Sequence, residues 1–225
     1  AFYNCGSLTS INIPNTIAAT IGTNAFRGCN SLHSVAIGDS VTSIGVWAFR
    51  GCNSLHSVDI GDSVTSIGDS AFSQCSSLTS ITIPDSVTSI GDSAFWVCSS
   101  LTSVVIGNNV TTIGEDAFWC CDNLTSVVIG NNVTTIGEDA FYGCTSLTSV
   151  TIPDSVTSIG KFTFMSCSSL TSIYCKPTTP PTGDSFMFSD NASDRMIYVP
   201  MESVSEYKSA SYWDDYADAI VGYNF

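Results

Sequence analysis

The sequence predicts an α/β repeat solenoid, rich in β-structure and wound as a right-handed superhelix. A 23-residue pattern, LTSITIPDSVTSIGDSAFWVCSS at residues 78–100, returns from Leu32 to Leu170 with the same apolar positions. One copy cannot fold alone, because its large inward side chains stabilise it by about 1.5–3 kcal/mol each, whereas ordering each residue costs about 1.5 kcal/mol. The copies must therefore stack, so that each buries the open faces of its neighbours.

Each unit opens with two short strands. The pattern L-x-x-I-x-I places an apolar residue at every second position, as at Ile81 and Ile83, which is typical of a strand with one buried face. Proline or glycine follows directly, and proline ends the strand because it cannot donate to a β-ladder. V-T-S-I-G then predicts a second strand closed by glycine. We expect both strands to pair in parallel with their copies in the next unit.

The segment D-S-A-F predicts one helical turn that completes the unit. An aspartate lies where this turn begins, and there it can accept a backbone N–H. These aspartates are Asp69, Asp92, Asp116 and Asp139. A cysteine follows each phenylalanine by three residues, and we interpret this row as small buried apolar side chains. A straight row of thiols cannot form a tetrahedral zinc site.

The solenoid spans residues 1–175, and residues 176–225 are expected to form a C-terminal cap. KPTTPP at 176–181 predicts an extended connector, and MIYVP at 196–200 predicts one more strand. Helical spacing of apolar residues after it predicts helical segments that cover the last unit. The opening AFYNCGSL matches the end of a unit, so we expect an array truncated at its N-terminus. The segment INIPNTIAATIG, residues 11–22, carries one extra residue.

The chain is strongly acidic, with six basic residues against 20 acidic ones and a formal charge of −14. Such a surface repels phosphate backbones and has no polybasic segment for anionic lipid, so we expect neither nucleic-acid binding nor membrane insertion. The sequence has no catalytic triad pattern and no phosphate-binding glycine loop. We therefore predict a monomer that is not an enzyme and uses no cofactor.

Outward positions of the first strand are mostly small hydroxyl residues, and a partner would recognise the exceptions. His33 and His56 lie on adjacent units with Asp59 near them, and these three residues are candidates for partner binding; a metal-binding or pH-sensitive spot is the weaker alternative. Duplication of one LHSV unit explains the same pair without a function. Val105 and Val128 place apolar groups where other units are polar, and exposed apolar area can mark an interface.

Two further sets of residues are candidates for binding. Asp39, Asp62 and Asp85 follow the strand; their side chains either form turns with their own backbone or, as a weaker alternative, bind calcium. Trp96, Trp119 and Tyr142 follow the phenylalanine in consecutive units. They predict an aromatic stripe that could stack on sugars or fill a protein interface. The alternative is that these rings fold back onto neighbouring turns.

The unit L-x-x-I-x-I-P-x-x-V-x-x-I-G-x-x-A-F-x-x-C resembles the BspA-like, or Treponema pallidum type, leucine-rich repeat over residues 1 to about 175. The tail, with IYCKPTTPP and IYVP, resembles the C-terminal ends of such proteins from gut and oral anaerobic bacteria. The resemblance implies a leucine-rich-repeat fold and a location outside the cell, secreted or on the bacterial surface. It implies no binding residue. Thr163 and Cys175 depart from the pattern.

The pattern and the resemblance together predict an extracellular adhesion or protein-binding module. Its partners would be host matrix proteins, host cells or other microbial surfaces, bound through a surface built by the repeats. The alternatives are a carbohydrate-binding surface protein that uses the stripe of tryptophan and tyrosine, and a structural stalk.

Overall fold

A computed structural model describes residues 2–15 and 19–225. The chain forms a parallel β-solenoid of about nine turns with little helix, which confirms the predicted repeat architecture. Its right-handedness stays a prediction. Residues 16–18 of the irregular segment lie outside the described residues. Just after them, the pairing of neighbouring strands shifts register between Ala19 and Thr20.

Every turn carries strands on two of its sides. Those on the first side are β1 (Ser10–Ile13), β3 (Ser34–Ile37), β5 (Ser57–Ile60), β7 (Ser80–Ile83), β9 (Ser103–Ile106), β11 (Ser126–Val128), β13 (Ser149–Ile152) and β15 (Ser172–Cys175). Those on the second side are β2 (Ala19–Ile21), β4 (Val41–Ile44), β6 (Ser66–Ile67), β8 (Ser89–Ile90), β10 (Thr112–Ile113), β12 (Thr135–Ile136) and β14 (Ser158–Ile159). The second side is one continuous seven-stranded sheet.

Equivalent residues of successive turns lie directly beside one another. Val35 of β3 pairs with Val58 of β5, and Ile67 of β6 pairs with Ile90 of β8, in each case 23 residues apart. The glycine that closes the second strand lets the backbones approach closely. A Cβ built on Gly137 would lie 2.7 Å from the carbonyl carbon of Gly114, so a side chain there would clash. Glycine at this position is therefore a packing requirement.

The third side does not form the predicted helical turn; within the described residues it consists of hydrogen-bonded β-turns. One residue with left-handed backbone lies two positions before the phenylalanine, and a second lies two positions after it. Around Phe49 these residues are Trp47 (φ 56°) and Gly51 (φ 72°). Left-handed residues interrupt an α-helix. The Phe49 N–H donates to the Ala71 carbonyl of the next turn (2.7 Å). Bonding between turns therefore replaces bonding within a helix.

Two of the four aspartates predicted to cap this helical turn do accept a backbone N–H, but from the neighbouring turn. Asp69 Oδ1 accepts from the Asp92 N–H (3.1 Å), and Asp92 Oδ1 accepts from the Glu115 N–H (2.9 Å). Asp116 and Asp139 lie one position later in their units, where the backbone is left-handed (φ 55° and 53°). Aspartate tolerates this conformation better than most residues do.

A column of stacked phenylalanine rings fills the core. Successive ring centroids are 5.1–5.7 Å apart with interplanar angles of 1–10°, from Phe2 to Phe188. The cysteine row lies beside it, and from Cys52 to Cys167 each thiol of the row donates to the carbonyl of a phenylalanine 26 residues earlier, as Cys98 does to Phe72 (3.3 Å). Burial raises the pKa of Cys52 to about 12 and that of Cys98 well above its usual value.

The repeat continues past residue 175. Strand β16 (Met196–Pro200) pairs with β15, and β17 (Ile220–Tyr223) pairs with β16. Between β16 and β17 lie 3₁₀ turns at Met201–Ser203 and Asp214–Tyr216 and a six-residue helix, α1 (Val204–Ser209). Tyr207 and Trp213 are fully buried, and the Trp213 indole donates to the Pro181 carbonyl. Among the described residues no helix has the length and apolarity needed to cross a bilayer.

The phenylalanine column predicts a large difference between its middle and its end. Phe95→Ala removes a fully buried ring from between Phe72 and Phe118, so unfolding should become easier by about 3–5 kcal/mol. Phe2 is 46% exposed at the end of the column, so Phe2→Ala should cost far less. Denaturant unfolding followed by circular dichroism measures both, and equal losses would contradict the stacked core.

The buried thiols predict selective alkylation. Only Cys5 and Cys120 are partly exposed, so native protein at pH 8 should be modified at no other cysteine, whereas unfolded protein should be modified at all ten. Burial raises the pKa of Cys120 to about 11, so its reaction should accelerate as the pH rises toward that value, because the thiolate is the nucleophile. Mass spectrometry after iodoacetamide treatment identifies the modified sites. Native modification of Cys75 would contradict the assignment.

Candidate functional site

Val105 and Val128 form an exposed apolar pair on the first side of the coil. They occupy directly paired positions in β9 and β11 and are 42% and 53% exposed. Their inward neighbours Val104 and Ile106 are buried, so the alternation of the strand fixes the outward direction of Val105. Thr82 pairs with Val105 from the preceding turn. The predicted outward column thus exists, with apolar residues at the two expected positions.

An aromatic cluster continues this column at its C-terminal end. Tyr174 pairs with Tyr198 in the next turn, and their rings stack at 4.8 Å. Tyr223 contacts both edge-on at 5.6 and 5.5 Å, and Phe225 contacts Tyr223 at 5.1 Å. Sequence reasoning missed this cluster as a candidate site. Aligning MIYVP with the SIYC of the preceding strand could have found it.

The two histidines do lie together, as their positions on adjacent units predict. The rings of His33 and His56 stack at 5.8 Å and both side chains are exposed, and His56 Nδ1 is 2.6 Å from the Ser54 carbonyl oxygen. Asp59 lines a shallow depression with Asp39 and Asp62, and neither histidine lines it. In the described part of the chain, no three His, Cys, Asp or Glu side chains are arranged to hold a metal ion. The expected role of this pair in partner binding stays a prediction.

The aspartates that follow the first strand accept backbone hydrogen bonds from the next turn. Asp39 Oδ1 accepts from the Asp62 N–H (3.0 Å), and Asp85 Oδ1 accepts from the Asn108 N–H (2.6 Å). The Asn108 side chain accepts in the same way from the Asn131 N–H (3.2 Å), so an amide performs this role as well as a carboxylate. These contacts explain Asp39 and Asp85 as scaffold residues that bridge turns.

Trp96, Trp119 and Tyr142 form the predicted aromatic stripe on the turn side. The two indoles stack at 5.3 Å with an interplanar angle of 12°, and Trp119 and Tyr142 stack at 5.8 Å and 7°. All three side chains are partly buried. Both faces of the Trp119 ring are covered by its neighbours, so this ring has no free face for a sugar. The solvent-facing surface of the stack is therefore built largely from ring edges.

Aromatic residues also occupy strained positions on the turn side. Trp47 (φ 56°), Phe162 (φ 57°) and Phe186 (φ 60°) have left-handed backbone, where Asn24 and Ser70 stand in other turns. This conformation costs roughly 1–2 kcal/mol for most residues. Phe186 is 55% exposed, so core packing does not explain it. Sequence reasoning missed these residues because a helical turn was expected there.

Basic side chains lie over aromatic rings at both ends of the turn side. The Arg27 guanidinium lies 5.9 Å from the Tyr3 ring centroid and 5.4 Å from that of Trp47. The Lys161 ammonium lies 4.4 Å from the Phe162 ring centroid. These distances fit cation–π attraction. Arg27 and Lys161 therefore contact aromatic rings outside the central stack. Among the described residues, no basic side chain lies over Trp96, Trp119 or Tyr142.

Five carboxylates lie three or four residues before the rings of the central stack: Asp92, Glu115, Asp116, Glu138 and Asp139. Partial burial, with repulsion by Asp92 and Glu138, raises the pKa of Asp116. Partial burial, together with repulsion by Asp116, Glu138 and Glu115, raises the pKa of Asp139 to about 6, although Lys161 opposes the shift. The carboxylates are close enough to repel one another, and this repulsion destabilises the free protein at neutral pH.

The raised pKa of Asp139 predicts a pH-dependent effect of Asp139→Asn. Above about pH 6 the wild-type carboxylate is charged and repelled in the folded state, so the variant should be more stable by about 1 kcal/mol once solvent screening is allowed for. Below pH 3.8, the ordinary value, the carboxyl is neutral in both folded and unfolded states and the difference should vanish. Thermal unfolding of both proteins from pH 3.5 to 7.5 tests this, and a variant less stable at pH 7.5 would contradict it.

A family model described as the BspA type leucine rich repeat region, in six copies, matches residues 1–125 and 111–214. None of the curated proteins is significantly similar in sequence. A solved leucine rich repeat protein of T. pallidum is 33% identical, with a TM-score of 0.66, over 72% of this chain and 78% of that one. A leucine rich cell surface protein of Faecalibacterium prausnitzii A2-165 is 31% identical, with a TM-score of 0.69, over 87% of this chain and 64% of that one.

A leucine-rich repeat protein of Bacteroides ovatus shares the fold, with 24% identity and a TM-score of 0.63, over 96% of this chain and 66% of that one. The chain thus spans about two thirds of the length of the F. prausnitzii and B. ovatus proteins. The family model covers most of the chain, and the solenoid has the strand pattern that such repeats produce. The chain therefore belongs to the BspA-type leucine-rich repeat family.

Proposed function

We propose that this chain is a protein-binding module displayed at a bacterial cell surface, where it recognises host matrix proteins, host cells or other microbes. Residues 1–175 would supply the binding solenoid, and residues 176–225 would cap its end. Family membership supports a binding role, and the F. prausnitzii relative described as a cell surface protein supports the location. The proposed activity is binding rather than catalysis.

The exposed apolar column on the first side carries this proposal. The sheet does not require valine at its outward positions, because Thr82 and Thr151 occupy the same column in other turns. Val105 and Val128 contribute nothing to the core, yet they expose apolar area to water. Burial against a partner would recover about 25 cal/mol for each Å² removed from water. The Tyr174 and Tyr198 rings extend the column with a residue type that is enriched at the energetic centre of interfaces.

The combined substitution Val105→Thr and Val128→Thr tests this role with residues that the chain itself uses in the column. Threonine has a similar shape and a high strand propensity, so the fold should persist. Binding to a responsive partner should weaken about tenfold, within the range for losing two buried apolar contacts at an interface. Surface plasmon resonance against matrix proteins, host-cell membranes and bacterial surface fractions gives the measurement.

Met201→Thr is the matched control, because Met201 is 57% exposed but lies after β16 and outside the column. It should leave affinity unchanged. A double valine variant that binds every responsive partner as tightly as wild type would refute the role of this column. If wild type binds nothing in the panel, the stalk becomes the better account.

A further inference from the structure

We propose that the central turn side, defined here as the acidic–aromatic surface, binds a lysine- or arginine-rich segment of a partner protein. Its rings are Trp96, Trp119 and Tyr142, and its carboxylates are the five that lie three or four residues before these rings. The ring edges would hold the aliphatic stems of the basic side chains, and the carboxylates would bind their cationic heads. The assignment rests on the proposed protein-binding function and names the chemistry of the partner.

Ring and carboxylate belong to the same β-turn. The Trp119 N–H donates to the Asp116 carbonyl at 3.0 Å, and the Tyr142 N–H donates to the Asp139 carbonyl at 3.0 Å. Each aspartate is therefore three residues from its ring and fixed to it by the backbone. These two turns are adjacent, and the centroids of the Trp119 and Tyr142 rings are 5.8 Å apart. Two of the three turns therefore carry this pair, whereas the turn of Trp96 has Ser93 at the same position and its carboxylate, Asp92, one residue earlier.

The spacing of these rings suits an extended basic peptide. Side chains on one face of an extended chain recur about every 6.6 Å, and the rings recur at 5.3 and 5.8 Å. Lysine and arginine have long flexible stems that cover apolar surface while their charged ends reach polar groups. Consecutive basic side chains could therefore follow consecutive turns.

Charge complementarity favours a cationic occupant over other ligands. The sequence has no Lys or Arg from residue 51 to residue 160, so the five carboxylates have no basic partner on their own turns. Lys161, on the next turn, lowers the pKa of Asp139 but does not cancel the shift caused by its burial and by the neighbouring carboxylates. A cationic segment would relieve their mutual repulsion, and the net charge of −14 would steer it toward the protein.

Arginine and lysine also fit better than a sugar. A sugar ring stacks on an aromatic face, and both faces of Trp119 are covered. A guanidinium can instead bind a carboxylate through two parallel hydrogen bonds while its stem lies against the ring edges. The partner chemistry that matches both parts of the surface is therefore a basic protein segment.

Titration with hexa-arginine and hexa-lysine peptides tests the assignment, with hexaglutamate as the negative probe. Isothermal calorimetry gives the affinity. The test variant, Glu115→Gln with Asp116→Asn and Glu138→Gln, removes three charges from the acidic–aromatic surface. The control variant, Asp39→Asn with Asp62→Asn and Asp85→Asn, removes three charges from the residues that follow the first strands. Asn108 occupies the equivalent position in the next turn and accepts the same backbone hydrogen bond, so the control variant should fold. The first triple variant should weaken binding about tenfold, and the control should weaken it less than about threefold.

A second variant, Trp96→Ser with Trp119→Ser, uses the residue that Ser73 provides at the same place in an earlier turn. It should also weaken binding about tenfold with its charges intact. Equal losses in both charge variants would show non-specific attraction and overturn the proposal, as would a wild type that binds neither basic peptide. If the tryptophan variant unfolds, the pair of charge variants decides. The valine column is tested separately, by the variant in which only Val105 and Val128 are changed. Failure of the acidic–aromatic surface to bind basic peptides would therefore leave the proposed role of the valine column untouched.

Discussion

Hydrogen bonding between successive turns is the constraint on which this structure depends. The first strands pair with their copies in three separate sheets, the second strands form one seven-stranded sheet, and the β-turns of the third side also donate to the next turn, as Phe49 does to Ala71. Because every side is tied to its neighbour in register, a residue that recurs in the sequence becomes a straight row in space. The phenylalanine column, the thiols bonded to its carbonyls and the aspartates that bridge turns all follow from this one condition.

The same constraint explains why a surface rich in hydroxyl groups offers little to a partner. Thr88 Oγ1 donates to the Thr65 carbonyl at 3.1 Å, and Thr111 Oγ1 donates to the Thr88 carbonyl at 3.2 Å. These hydroxyls already serve the scaffold, and a second row on the first side does the same, as Thr102 does with Thr79. A partner must therefore recognise the residues that differ from the repeated pattern. Valine on the strand and tryptophan after the phenylalanine are such residues.

The parts of the fold that repeat identically could be predicted from the sequence, whereas the parts set by non-local bonds could not. Period, strand positions and the stacking of Trp96 on Trp119 follow directly from the 23-residue spacing. The segment D-S-A-F favours a helical turn by local propensity, but N–H groups that bond to the next turn impose left-handed residues instead. The tyrosine cluster was missed because Tyr174 and Tyr198 are 24 residues apart and a proline-rich connector separates them.

Both candidate surfaces derive from the same unit of sequence. Residues 101–118 and 124–141 are identical, and each copy carries one outward valine and one Glu-Asp pair. Since the solenoid places copies side by side, the second copy adds Val128 to the apolar column and Glu138 and Asp139 to the acidic row at once. Adding a turn adds one contact of each kind without new folding requirements, because the inward residues are unchanged. For a linear partner, affinity can then grow with the number of turns, as it does when binding sites are linked on one scaffold. A repeat of this kind can change how tightly it binds by changing its length, while its turn geometry stays the same.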